Sequence, residues 1–288
     1  MHAQSGRRPG SENGPYQIEE RDAFGDERVV AFLAADEDAH MLHLDLVKRK
    51  RVEIPEDAFM LLVSSREGRL VHVSICTPPH PIALSEIGDE KDNVEQVARL
   101  LAREIAASRH RTSGIRGPPR LCLQVMNEAG LAHKMEDESI AMRVTEASLK
   151  PMADNLLPEY RLVDPKTDDF LQQWYVRFAE DAHLPSTDSA NFFLSLETGR
   201  RRCFVSDACM VGANAIPVRL GPVYVPREKR GQGHAKKLVT AVCRQLFREG
   251  HTKVYLFADA SNPISCSLYK KLGFEEVSRL LHLSFLLN

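Results

Sequence analysis

The chain has 288 residues, 43% of them hydrophobic, with a formal net charge of -2 and an isoelectric point near 6.6. That length suits two ordinary domains or one large one, and the apolar content is enough for packed cores. Near-neutral charge excludes a general electrostatic affinity for nucleic acid or for acidic membranes, so charge-driven binding must come from a local patch.

The opening "MHAQSGRRPGSENG" is polar and without periodicity, and residues 1–15 are expected to be a disordered tail. Between residues 26 and 50 apolar side chains fall at helical spacing, with a break near Asp36. "AFMLLVSS" and "RLVHVSIC" flank "REG" and predict a strand hairpin; "IALS" predicts a third strand. "DNVEQVARLLAREIAA" places Val94, Val97, Leu101 and Ile105 on one face of a helix, with Asp92 or Asn93 as its cap. A helix over residues 121–133 and a strand "SIAMRV" follow.

From about residue 158 the same order recurs. "YRLV" predicts a strand, "DDFLQQWYVRFAEDA" a helix, and the stretch holding Phe192, Phe193 and Leu196 another. "RCFVS", "ACMVGAN" and "LGPVYV" predict strands, then a basic turn leads into the helix "AKKLVTAVCRQLFRE". "KVYLFA", apolar throughout, predicts a central strand. "SNPISCSLYKKLG" predicts a short helix capped by Asn262 and closed by Gly273, and "FEEVSRLLHLSF" one or two strands. The expectation is two tandem α/β domains, residues 16–152 and 158–288, divided where "KPMADNLLPE" interrupts the pattern.

The six cysteines, Cys76, Cys122, Cys203, Cys209, Cys243 and Cys266, show no C-x-x-C pair and no histidine at ligand spacing, which predicts free thiols and no metal. No apolar run approaches the roughly 18 residues of a membrane span, and the start lacks a signal peptide's apolar core. A cytoplasmic protein with no nucleic-acid or membrane partner is expected.

The segment "VYVPREKRGQGHAKKLV" carries the chemistry. Between positions 226 and 250 stand seven basic residues against two acidic ones, and Gly231 and Gly233 fall at a strand-to-helix junction. A helix start exposes free N–H groups at the positive end of its dipole, so this junction is built for an anion, usually phosphate. "RGQGHAKK" lacks the glycine spacing and the Lys-Ser/Thr of a nucleotide P-loop, and Lys236 stands where a dinucleotide loop needs its third glycine.

Arg230, Gly233 and Ala235 match the loop R/Q-x-x-G-x-G/A. Twenty-nine residues after Gly233, "NPISCSLYKKLGF" matches N-x-x-(S/A)-x-x-x-Y-x-x-x-G-F with Asn262, Ser265, Tyr269, Gly273 and Phe274. Over residues 220–277 the chain resembles the GNAT superfamily of acetyl-CoA-dependent N-acyltransferases, and its two-part organisation resembles tandem-domain predicted acetyltransferases. The resemblance implies an α/β (α+β) fold in which each domain is a mixed, largely antiparallel sheet flanked by helices.

It also implies roles. Main-chain N–H groups of Arg230, Gly231, Gln232, Gly233, His234, Ala235 and Lys236 would bind the CoA pyrophosphate, with Lys236, Lys237 or Arg227 at the ribose phosphate. The strand Val223, Tyr224, Val225 would receive the pantetheine arm through its backbone. Asn262, beside Ser265, would hydrogen-bond that arm, and Tyr269 would protonate the departing thiolate. The implied activity is acetyl transfer to a primary amine in a ternary complex.

Asp259, Asp207, Glu197, Glu180, His183 and a water-mediated route all remain open as the general base. Cys266 reads as a small packing residue rather than a nucleophile. At the matching turn of the first half, Glu86, Asp89, Glu90 and Asp92 replace the basic loop and would repel a pyrophosphate, so one cofactor per chain is expected. The alternatives are a non-catalytic acyl-CoA sensor or scaffold and an enzyme acting on protein amines.

Overall fold

The computed structural model describes residues 14–21, 26–48, 54–89, 93–182, 187–215 and 217–286. Residues 1–13 of the tail expected at 1–15, the Asp92 cap, Glu90 and His183 lie outside them. The chain forms two compact units, one of Met1–Ser139 with Ser278–Asn288, the other of Ile140–Val277.

The first unit begins with β1 (Tyr16–Arg21), α1 (Glu27–Ala34) and α2 (Glu37–Val47). The helices part at Asp36, whose carboxylate accepts from the Ala39 N–H at 3.1 Å and so starts α2. β2 (Phe59–Ser65), β3 (Leu70–Cys76), β4 (Ile82–Leu84), α3 (Val94–Ser108), β5 (Gly114–Gly117) and α4 (Pro119–Ala129) follow, and α3 is capped by Asn93. The sheet order is β1-β2-β3-β4-β5, all antiparallel except β4 with β5. β2 is buried on both faces: Phe59, Leu61 and Val63 pack with α3 and α4, and Met60 and Leu62 with α1 and α2.

After β6 (His133–Val144) the second unit contains β7 (Arg161–Leu162), α5 (Phe170–Asp181), α6 (Thr187–Glu197), β8 (Arg201–Ser206), β9 (Cys209–Asn214) and β10 (Arg219–Tyr224). Then come α7 (His234–Arg248), β11 (Val254–Asp259), α8 (Pro263–Leu272) and β12 (Glu275–Phe285). The order β6-β11-β10-β9-β8-β7 again contains a parallel pair, β10 with β11, and places β11 as a central strand. β9 sends Cys209, Val211 and Ala213 to the core under α7 and α8, and Met210 to the aromatic cluster of α5 and α6. The succession β-hairpin, strand, helix, strand, helix is therefore built twice, each time with a parallel pair between the strands that flank the first helix.

Three features stand apart from the periodicity. The compact units part at Ser139 and again at Val277. β6 runs unbroken through Ser139 and puts Ile140, Met142 and Val144 into the second core, while residues 281–284 of β12 pair with β5 and bury Leu281 and Leu283 in the first. The helix expected at 121–133 starts at Pro119 and stops at Ala129, because Gly130 takes a left-handed cap. β1 and β5 escape the periodicity: β1 is a charged edge strand, and β5 reads "GIRG". Those glycines are required by close approach, since a Cβ at Gly114 would lie 2.1 Å from the Leu283 carbonyl oxygen.

Candidate functional site

The site begins where two parallel strands part. β10 pairs with β11 through Arg219↔Tyr255 and Leu220↔Leu256, yet β10 continues to Tyr224 and β11 to Asp259. Beyond Leu220 the β10 register against β9 shifts, from Leu220↔Ala213 to Val223↔Val211. This irregularity turns β10 away from β11 and leaves a strand edge unpaired among the described residues. Gly212 makes it possible, because a Cβ there would lie 2.6 Å from the Gly221 carbonyl oxygen and 2.9 Å from Pro222 Cδ. Tyr224 is buried against Trp174, whereas Val223 and Val225 are half-buried.

After Pro226 the chain makes one tight turn, Arg227–Lys229, then passes Gly231 and Gly233, both with φ near +78°. A side chain would find open space at either glycine, so positive φ is what demands glycine here. Gly233 caps α7, and no side chain bonds to that helix end among the described residues. The first-turn N–H groups of His234, Ala235 and Lys236 are thus left for an outside acceptor. Gln232 is exposed, with its side-chain oxygen 3.3 Å from His234 Nε2.

The cations of the loop divide into two sets. Arg227 and Arg230 both bind Asp181 at the end of α5, one on each carboxylate oxygen, and Arg230 Nε also donates to the Val225 carbonyl at 2.9 Å. These contacts hold the Asp181 carboxyl below the usual carboxylate range. Arg227 is thus paired with Asp181 while its side chain stays 75% exposed. Lys229 Nζ donates to the Asp207 carbonyl at 2.6 Å. Lys236 and Lys237 make no ion pair among the described residues and remain the cations available to an anion.

Across the opening, β11 ends at Asp259, whose carboxylate accepts from the N–H and the hydroxyl of Ser261, each at 2.8 Å. Asn262 caps α8 by accepting from the Ser265 N–H at 3.0 Å, which uses its side-chain oxygen and leaves its NH₂ group to donate. Two turns on, Tyr269 is 7% exposed, lies edge-on to Phe274, and has no hydrogen bond among the described residues. Burial pushes its phenol well above the usual range, so it stays protonated at neutral pH. Cys266 is half-buried with Sγ 3.3 Å from the Asp259 carbonyl oxygen, while the other five free thiols are buried and burial pushes theirs up.

The structure thus brings the glycine turn, the strand Val223–Val225 and α8 into one unit. The carboxylates considered as bases do not share an environment: Glu180, Glu197, Asp207 and Asp259 are all exposed, and Asp259 is tied to Ser261. Sequence reasoning missed Asp181, because nothing in "FAEDA" marks it and its partners lie 46 and 49 residues away.

The model of the acetyltransferase (GNAT) family matches residues 159–274. A curated N-alpha-acetyltransferase MAK3 from Arabidopsis thaliana is 32% identical over 92 residues, a match spanning 31% of this chain and about half, 47%, of that protein. Among solved structures, a GCN5-related N-acetyltransferase from Sphaerobacter thermophilus aligns with a TM-score of 0.61 at 17% identity, covering 96% of this chain and 97% of that one. A tandem GNAT protein from the clavulanic acid biosynthesis pathway aligns at 0.60 and 15%, covering 94% and 98%. These alignments over nearly the whole length agree with the doubled α/β architecture. Residues 159–274, which hold the parted strands, the glycine turn and α8, are therefore the part of the chain that matches the acetyltransferase (GNAT) family.

Proposed function

We propose that the second unit transfers an acetyl group from acetyl-CoA to a primary amine by direct attack within a ternary complex. The observation that carries this reading is the parting of β10 from β11 beside a start of α7 to which no side chain bonds among the described residues. The residues fit the cofactor: a pyrophosphate would take the N–H groups of loop 230–236 with Lys236 or Lys237 alongside, and the free edge of β10 would accept an amide-bearing arm as an added strand. The Asn262 NH₂ group would donate to that arm. A main-chain N–H of β10 would stabilise charge on the thioester oxygen as the amine attacks. Attack forms the C–N bond, the C–S bond breaks, and Tyr269 delivers its proton to the departing thiolate. This reading takes a water-mediated route for the base, since the candidate carboxylates Glu180, Glu197, Asp207 and Asp259 are all exposed.

In the first unit β4 and β5 stay close past their pairing, since a Cβ on Gly117 would lie 2.7 Å from Leu84 Cβ. This supports a reading with one cofactor per chain, held by the second unit. A second reading of the acceptor, a protein amino terminus, is favoured by the likeness to an N-alpha-acetyltransferase.

The test is calorimetric titration of acetyl-CoA, paired with a free-thiol assay over amines and short peptides. One site per chain with thiol released on an acceptor is the expected result. Binding without release on any acceptor would favour a sensor, and no binding would remove the cofactor site. Gly233→Asp sets a carboxylate and a side chain at φ +78° against the anion, and is expected to abolish binding.

A further inference from the structure

We propose that Asp181 is a positioning residue for the donor site: by holding Arg227 and Arg230 together it braces the turn whose N–H groups face the pyrophosphate. This rests on the acyl-CoA reading above. Arg230 is the arginine of the loop motif, and its half-exposed side chain folds back onto the protein. Its Nε bonds the Val225 carbonyl, its terminal nitrogen bonds Asp181, and its guanidinium lies 5.9 Å from the centre of the Tyr224 ring. Tyr224 in turn packs on Trp174 of α5, the helix that ends in Asp181. Arg227, at the other end of the tight turn, binds the second oxygen of the same carboxylate, with Nε at 3.1 Å.

One carboxylate therefore ties both ends of the turn Arg227–Lys229 to α5 and to the end of β10. Its side chain is only 19% exposed, against 75% for Arg227. The arrangement answers a physical need. Two arginines three residues apart repel unless a counterion lies between them, and the glycines that follow have wide conformational freedom. Left unbraced, the glycine turn would lose that freedom only on binding, at a cost to affinity. A carboxylate near a phosphate site would ordinarily oppose binding. Here its charge is spent on two arginines, and the exposed lysines of α7 are left for the ligand.

The experiment titrates CoA into the wild-type chain, Asp181→Asn and Asp181→Glu, and follows hydrogen exchange of the amides of residues 231–236 in the cofactor-free proteins. Asp181→Asn is expected to weaken CoA about tenfold and to speed exchange in the turn. The thermal midpoint is expected to hold within about 2 °C, and Asp181→Glu to recover affinity to within about threefold. Unchanged or tighter CoA binding by Asp181→Asn would overturn the proposal, tighter binding making the carboxylate a competitor for the arginines. If the wild-type chain binds no CoA, the acyl-CoA reading fails on its own. Faster exchange in Asp181→Asn would then still support the brace, and unchanged exchange would overturn it.

Discussion

Tyr269 shows how much one residue's environment adds to its identity. Spacing from Asn262 assigns it the acid's role in the proposed reaction, and in the fold it is a buried phenol that stays protonated and has no hydrogen-bond partner among the described residues. Tyr269→Phe preserves the packing against Phe274, so it is expected to lower kcat on the order of tenfold to a hundredfold while CoA affinity stays within about twofold. Steady-state rates beside calorimetry check this, and equal turnover would remove Tyr269 from the reaction. Gly231, Gly233 and Asn262 were legible for a similar reason, since turn and cap chemistry depends on near neighbours. Asp181 was not, because an ion pair between α5 and a distant loop leaves no local trace.

Among the elements, α8 ends at a glycine under two constraints. Gly273 has φ +96°, and a Cβ there would stand 1.9 Å from the Ser148 carbonyl oxygen. Gly250, which ends α7 at φ +94°, has open space around it. Gly250→Ala is therefore expected to cost about 1 kcal/mol from backbone strain alone, and Gly273→Ala at least about 2 kcal/mol more. Urea unfolding of both variants checks the difference, and equal losses would deny the collision. In α2 and β3, the histidines His40, His43 and His72 are buried. Burial pulls His43 and His72 down to about 3 and also lowers His40; Asp36 favours the charged form of His40, whereas the histidines disfavour one another's. A folded value below the unfolded one of roughly 6.5 means these side chains stabilise fully above that pH and progressively less as it falls. The urea midpoint is expected to decline between pH 6.5 and about 4.5, before most carboxylates titrate; a flat profile would mean the three rings are not held neutral.

For the whole molecule, the course of the chain matters more than its length suggests. The last strand supplies Leu281 and Leu283 to the first core, so a chain cut after Val277 would keep the second unit's residues and deprive the first of two buried leucines and a strand partner. Each leucine is worth about 2–5 kcal/mol in a core, which is comparable with a domain's whole stability of roughly 5–15 kcal/mol. The truncated chain is expected to lose protection from hydrogen exchange in β5 and α3; retained protection there would show that β12 is dispensable. By itself the sequence determined the repeated order of strands and helices, the central place of β11, and the glycine turn and α8 motifs, because burial periodicity and cap chemistry act over a few residues. Only the tertiary structure decided that β6 supplies the second core and β12 the first, that β10 parts from β11 opposite Gly212, and that Asp181 holds the arginines of the loop. Those outcomes depend on which distant backbones approach one another, and side-chain spacing along a single segment carries no record of such approaches.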